Sequence, residues 1–329
     1  MVEYFIRRLC QYLVVFFIIL IVVFVLPRLA SGNPADFYVT TTVELGEESE
    51  VLKAHLIERF GLNKSLIEQF SAFLLNTFTG YLGVSWIYYP KEVTAIILER
   101  LPWTLFIVIA SRILAVILAY FVGVIAAWKH GGKVDSLLLI LGLASSSVPA
   151  FWIGMIMLFI FSFYFPIFPL SGAVTPGAVH NSFWEFACDV LYHGALPILT
   201  LSLVSFFSEA LLMRNTMVGV LREDFILTAE AKGLDEITVM FRHAARNSML
   251  PFVTQALMSL GILFTGVVFT ETVFSYPGMG LLLRTAIFGR DFPLVQGILV
   301  ISSVVFIAIN FITDLIYMWL DPRIRLGRR

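Results

Sequence analysis

Residues 221–251 read LREDFILTAEAKGLDEITVMFRHAARNSMLP, with long and almost uncharged runs on either side. The stretch holds five acids, four Lys/Arg and one histidine. It is a hydrophilic island of about 30 residues, where most packed helices are joined by roughly 2–8. Gly233 is suited to end one helix in the left-handed conformation, and Asp235 to cap the next. Phe225, Ile226 and Ala229, beside Asp224 and Lys232, form an apolar patch with charged edges, the composition of a mixed docking interface.

The surroundings of the island decide the fold class. The chain has 329 residues, of which 59% are hydrophobic and 14% charged, with a mean hydropathy of +0.90. Soluble globular chains are about 45–50% apolar and about 25% charged, so lipid is the main solvent here. A net charge of −1 offers no electrostatic footprint for nucleic acid. Cys10 and Cys188 have no metal-ligand spacing and cannot build a disulfide framework.

Apolar runs at 11–26, 101–128, 134–168, 196–213, 251–274 and 295–320 predict six transmembrane helices, since about 20 residues cross the ~30 Å hydrocarbon layer. The first run follows Arg7 and Arg8, as in a signal peptide. It is longer than an h-region and ends in Pro27-Arg28 without a small-x-small site, which favours an uncleaved spanning helix. Pro149 predicts a kink inside the third span. Residues 31–100 are polar enough for a folded extramembrane segment, with an amphipathic surface helix over 43–62 and a glycine-spaced loop over 76–86. The resulting division is 1–30 for the tail and first span, 31–100 for the outer segment, and 101–329 for a core of five spans containing the loop 214–250.

Orientation follows from Lys/Arg asymmetry. With the N-terminus inside, the inner segments hold Arg7, Arg8, Lys129, Lys133, Arg214, Arg222, Lys232, Arg242, Arg246 and the arginines of the tail. The two short outer segments hold only Arg284 and Arg290. Both ends are therefore expected inside, and the island with them.

Catalytic motifs are missing. No GxxxxGK[ST] pattern exists to cradle ATP phosphates, and no HExxH occurs. The histidines (55, 130, 180, 193 and 243) show no ligand spacing. Ser145-Ser146-Ser147 has no histidine inside a span to serve as its base. The chain is read as no enzyme, with no metal and no cofactor of its own. Charges inside spans are functional hypotheses by default. Arg112, Glu209, Glu271 and Asp314 qualify. Glu209 and Arg214 lie near an inner membrane edge, where side chains snorkel. Asp314 stands one turn after Asn310 on one helix face, either as a structural patch or as a pathway contact. Glu271 either lines a pore mouth or caps a helix end. Arg112 fits no motif.

The island's Thr228-Ala229-x-Ala231-Lys232-Gly233-Leu234, then His243-Ala244-x-Arg246-Asn247 and Pro251, resembles the EAA loop of ABC importer permeases in the oligopeptide/dipeptide/nickel branch, of the first-permease (B) type. Glu230 stands where that family usually has arginine. The resemblance runs nearly end to end. It takes in Gly32-Asn33-Pro34-Ala35, Gly61-Leu62, Gln69, Gly80 and Leu82-Gly83 with Ser85, where Tyr81 replaces an acid. It continues through Arg100-Leu101-Pro102-x-Thr104-Leu105, then Asp135, Ser147, Pro149, Phe151-Trp152 and Gly154. Farther on lie Glu271-Thr272-Val273-Phe274-x-Tyr276-Pro277-Gly278-x-Gly280, Arg290-Asp291-x-Pro293, Asn310, Asp314, Tyr317 and Asp321-Pro322-Arg323.

The resemblance implies an all-α membrane permease of the type I importer kind. It would form half of a heterodimeric pore with a second permease subunit, two ABC ATPase subunits inside carrying ATP and Mg, and a solute-binding protein outside. The coupling residues it implies are Asp224, Phe225, Thr228, Ala229, Lys232, Gly233, His243, Asn247 and Pro251. Candidate pathway residues are Glu271, Asn310 and Asp314. Peptide is the first substrate expectation, with oligosaccharide or nickel as alternatives. An ion-coupled carrier or channel using Glu271 and Asp314 is the competing mechanism, although no inverted repeat is visible.

Overall fold

The computed structural model describes residues 2–29, 63–145 and 147–320. The surface helix expected over 43–62, the motif residues at 32–35, 61–62 and 321–323, Ser146 and the basic tail lie outside the described residues. The described chain is helical, with an isolated antiparallel bridge between Val84 and Glu92. Its helices are α1 (Val2–Leu29), α2 (Leu66–Thr79), α3 (Val93–Trp128), α4 (Lys133–Ser145), α5 (Ala150–Leu158), α6 (Phe183–Val220), α7 (Asp224–Ala231), α8 (Glu236–Thr238), α9 (Arg246–Met258), α10 (Leu260–Val273), α11 (Met279–Phe288) and α12 (Phe292–Leu320). Four of them, α1, α3, α6 and α12, are long and apolar enough to cross a membrane, and α4 with α5 adds a fifth if the bent pair is one span.

Two compact units divide these helices. The first holds α1, residues 63–102 and Gly278–Ala308. In it α2 begins with a capping box: Ser65 N–H donates to Glu68 Oε2 at 2.9 Å, and Ser65 Oγ accepts from Glu68 N–H at 3.3 Å. Gly80, at φ +79°, closes the helix in the left-handed conformation that glycine adopts without strain. Arg28 at the end of α1 reaches Gln69 on α2 through Nη2 at 2.9 Å. The core beyond this pair is Val93, Ile96 and Ile97 of α3 against Met279, Leu282 and Ala286 of α11 and Leu294, Val295 and Ile298 of α12. Asp291 caps α12, accepting from Leu294 N–H at 3.0 Å, and also accepts from the backbone N–H of Trp86 and Ile87 and from the Ser85 hydroxyl.

The second unit holds Trp103–Pro277 and the end of α12. Its inner apolar cluster joins Ala119, Val124, Ala126 and Ala127 of α3 to Leu138 of α4, Ala210, Met213 and Met217 of α6, and Phe252 of α9. The helices approach closely at Gly123, where a Cβ would lie 2.7 Å from both the Ala210 carbonyl oxygen and Met213 Cβ.

One expectation is corrected here and another extended. The third apolar run does not kink but breaks. α4 and α5 are directed 105° apart, and Pro149 serves as the extended N-cap of α5. A proline disfavours the helical region for the residue before it, and Val148 lies outside both helices. The fourth expected span, 196–213, lies inside a helix that is longer at both ends, Phe183–Val220. Its polar residues lower the local hydropathy, yet the fold pairs them internally: Asp189 with His180, Glu209 with Arg112, and Arg214 with Asp135.

Candidate coupling surface and buried charge sites

The island is an ordered helix-turn-helix. α6 ends at Val220, and the turn 221–223 leads into α7. Thr228 Oγ1 donates to the Asp224 carbonyl at 2.9 Å, inside the helix. The Lys232 and Gly233 N–H groups close its C-terminus on Thr228 and Glu230 carbonyls. Gly233 then takes φ +76°, and a Cβ there would meet nothing within 4 Å. Asp235 caps α8 by accepting from Thr238 N–H at 3.0 Å, and hydrogen bonding from Thr238 holds its carboxyl below the ordinary aspartate range. The chain continues through a π-helical turn, Val239–Ala245, into α9, which carries Pro251 in its interior. Asn247 Nδ2 donates back to the His243 carbonyl at 2.7 Å.

Burial sorts the side chains of α7 in a way the sequence did not show. Ile226 and Ala229 are 2% and 4% exposed and belong to the inner cluster with Met213, Met217 and Val239. They anchor the helix to its own chain, so the expected patch of Phe225, Ile226 and Ala229 is corrected. Phe225 stays outside, together with Leu227 at 61% and, on α8, Ile237 at 67% exposed. Asp224, Thr228, Glu230, Lys232 and Gly233 share that outer surface. A residue at i+3 from Ile226 returns to the same face, which is why 226 and 229 turn inward together.

The candidate pathway residues lie on two helices, α10 and α12. Glu271 is fully buried at the end of α10, where Thr104 Oγ1 donates to its Oε1 at 2.6 Å. Asn310 and Asp314 are half-buried on α12, one turn apart, and between them Thr313 donates to the Leu257 carbonyl at 3.5 Å.

A family model described as binding-protein-dependent transport system inner membrane component matches residues 119–326, a range that contains α7 and the whole island. The chain belongs to that family. The di/tripeptide transport system permease protein DppB of Pseudomonas aeruginosa is 34% identical over 344 residues, covering 100% of both chains. The oligopeptide transport system permease protein AppB of Bacillus subtilis is 31% identical over 324 residues, 98% of this chain and 99% of its own. The glutathione transport system permease protein GsiC of Pectobacterium atrosepticum is 32% identical over 326 residues, 99% of each. The protein is thus a permease subunit of an ABC importer, a multi-pass protein of the inner membrane, and a transport component rather than an ATPase. The ion-coupled carrier gives way to this assignment.

Two ion pairs in the permease escaped the sequence reading. Arg112 of α3 and Glu209 of α6, both buried, pair with one another. Asp135 at the start of α4 receives Arg214 in a two-pronged contact, Nε to Oδ1 at 2.8 Å and Nη2 to Oδ2 at 2.9 Å. Neither Glu209 nor Arg214 snorkels. Charge complementarity inside spans was the available signal, but with partners 97 and 79 residues apart the matching required the fold.

Proposed function

We propose that this permease forms one half of a heterodimeric pore that imports peptides, and that α7 with its flanking turns is the element an ATPase subunit grips. The proposed assembly has a second permease subunit, two ABC ATPase subunits inside that bind ATP and Mg, and a solute-binding protein outside. The chain would cross the membrane six times through α1, α3, the α4–α5 pair, α6, the α9–α10 pair and α12, with both termini inside and residues 31–100 outside. No ATP, metal or other cofactor would be held by this chain.

One observation carries the coupling role. α7 buries Ile226 and Ala229 against its own permease and leaves Phe225, Leu227, Thr228 and Lys232 outward. A short helix anchored on one face and open on the other is suited to fill a cleft whose shape changes between two ATPase states. A differential contact of that kind is what shifts a pore between closed and open. The peptide reading rests on the relatives' names, since di/tripeptide and oligopeptide permeases match over essentially full length. Oligosaccharide and nickel remain the alternative cargoes.

The test uses the assembled complex in proteoliposomes. Gly233→Asn keeps a residue that tolerates the left-handed backbone, whereas Gly233→Trp adds bulk to the outer surface. Asn is expected to retain transport. Trp is expected to lower transport and binding-protein-stimulated ATP hydrolysis about tenfold or more. Unchanged coupling in the Trp variant would remove α7 from the interface. Calorimetry of the cognate solute-binding protein with dipeptides and oligopeptides tests the cargo, and binding of Ni2+ or an oligosaccharide in their place would redirect it.

A further inference from the structure

Behind α7 the structure holds an arrangement that the coupling role alone does not explain. Asp135 of α4 is almost wholly buried, and it collects four donors or near neighbours from the turn after α3 and from α6. The Gly131 N–H, in the turn after α3, donates to Oδ2 at 2.8 Å, and His130 Nδ1 lies 2.9 Å from the same oxygen. Arg214 of α6 supplies the other two, closing a bidentate ring. Gly131 reaches this geometry only at φ +77°, so the turn is shaped to aim its amide at the carboxylate. Bidentate guanidinium–carboxylate contacts fix orientation as well as distance, which a lysine at 214 could not do.

The residues around this clamp are the ones on which α7 rests. Met213 and Met217 flank Arg214 along α6, Ala126 and Ala127 end α3, and Leu138 opens α4. All share one apolar cluster with Ile226 and Ala229. An apolar seat alone permits sliding. A buried charged fork across the three helix ends does not.

We propose that Asp135 and Arg214 are the positioning pair that holds the inner ends of α3, α4 and α6 as one plate behind α7. A force applied to α7 is then delivered to three membrane helices together, rather than to α6 alone through the chain connection. This inference rests on the coupling role proposed above for α7.

Two measurements on the reconstituted complex test it. Asp135→Asn keeps shape but loses the charge, and Arg214→Lys keeps charge but loses the fork. With the ATPase subunits still co-purifying, Asp135→Asn is expected to raise ATP consumed per solute imported about tenfold, with Arg214→Lys intermediate. A parental ratio in Asp135→Asn overturns the proposal, and normal coupling in Gly233→Trp instead overturns the role of α7 itself. The second measurement does not depend on either variant folding. Cys10 and Cys188 are replaced, and spin labels go to Leu137→Cys on α4 and Gly219→Cys on α6, both exposed. A plate predicts the same inter-label distance with and without bound ATP. A change of more than about 2 Å, the scale of an ordinary helix shift, shows that α4 and α6 move separately and sinks it.

Discussion

Arg112 had no motif in the sequence, and its role is visible only where α3 meets α6. It pairs with Glu209 in a buried site, while Arg112 Nε and Nη2 and Glu209 Oε2 find no hydrogen-bond partner among the described residues. A buried pair satisfied on only part of its polar atoms contributes little net stability, whereas removing one partner strands the other's charge. Arg112→Leu and Glu209→Leu are each expected to destabilise the detergent-solubilised protein by about 3–5 kcal/mol. The double variant should recover most of that loss in a thermal-unfolding double-mutant cycle. Additive losses would show that the two side chains do not depend on one another. Gly233 is the contrasting residue. Its left-handed backbone was legible from sequence, because only local geometry is needed to end a short helix before an aspartate cap.

Among the elements, α3 and α6 approach closely at Gly123, and glycine permits it. A Cβ on Gly123 would sit 2.7 Å from the Ala210 carbonyl oxygen, a backbone atom that no rotamer change can move. In an isolated helix Gly→Ala gains about 1 kcal/mol. Here Gly123→Ala is expected to lower the midpoint of thermal inactivation, and Gly123→Val to prevent recovery of folded protein. An Ala variant as stable as its parent would contradict the close packing. The two helices with corrected readings make a related point. Pro149 signalled a disturbance in the third apolar run, but kink and break share one local signature. Which of them occurs depends on the helices against which α4 and α5 pack. The inward face of α7 was hidden for the same reason. Eight residues of mixed polarity allow more than one face to be buried, and the seat offered by Met213, Met217 and Val239 selects Ile226 and Ala229.

On the scale of the molecule, each compact unit is closed by contacts between residues far apart in the chain. In the first unit Asp291 reaches back 206 residues to Ser85 and accepts the neighbouring backbone N–H groups of Trp86 and Ile87. Asp291→Ala strands those donors, at about 1–3 kcal/mol for each buried group left unpaired. Loosening of 81–92 in that variant should appear as faster amide exchange there, with 221–251 unaffected. Equal exchange in both variant and parent would mean that the clasp is dispensable. Both Ser85 and Asp291 were visible as motif residues in the sequence, but not as partners. The sequence by itself determined the solvent, the approximate places of the apolar helices, the family, and the helix-turn-helix chemistry of 221–251. These follow from composition, from runs long enough to cross a bilayer, and from backbone preferences that act over a few residues. Only the tertiary structure decided that Glu209 and Arg214 are paired rather than snorkelling, that Glu271 is buried against Thr104, and which side of α7 faces outward. Those outcomes depend on which distant side chain occupies the adjoining space, and local preference carries no record of it.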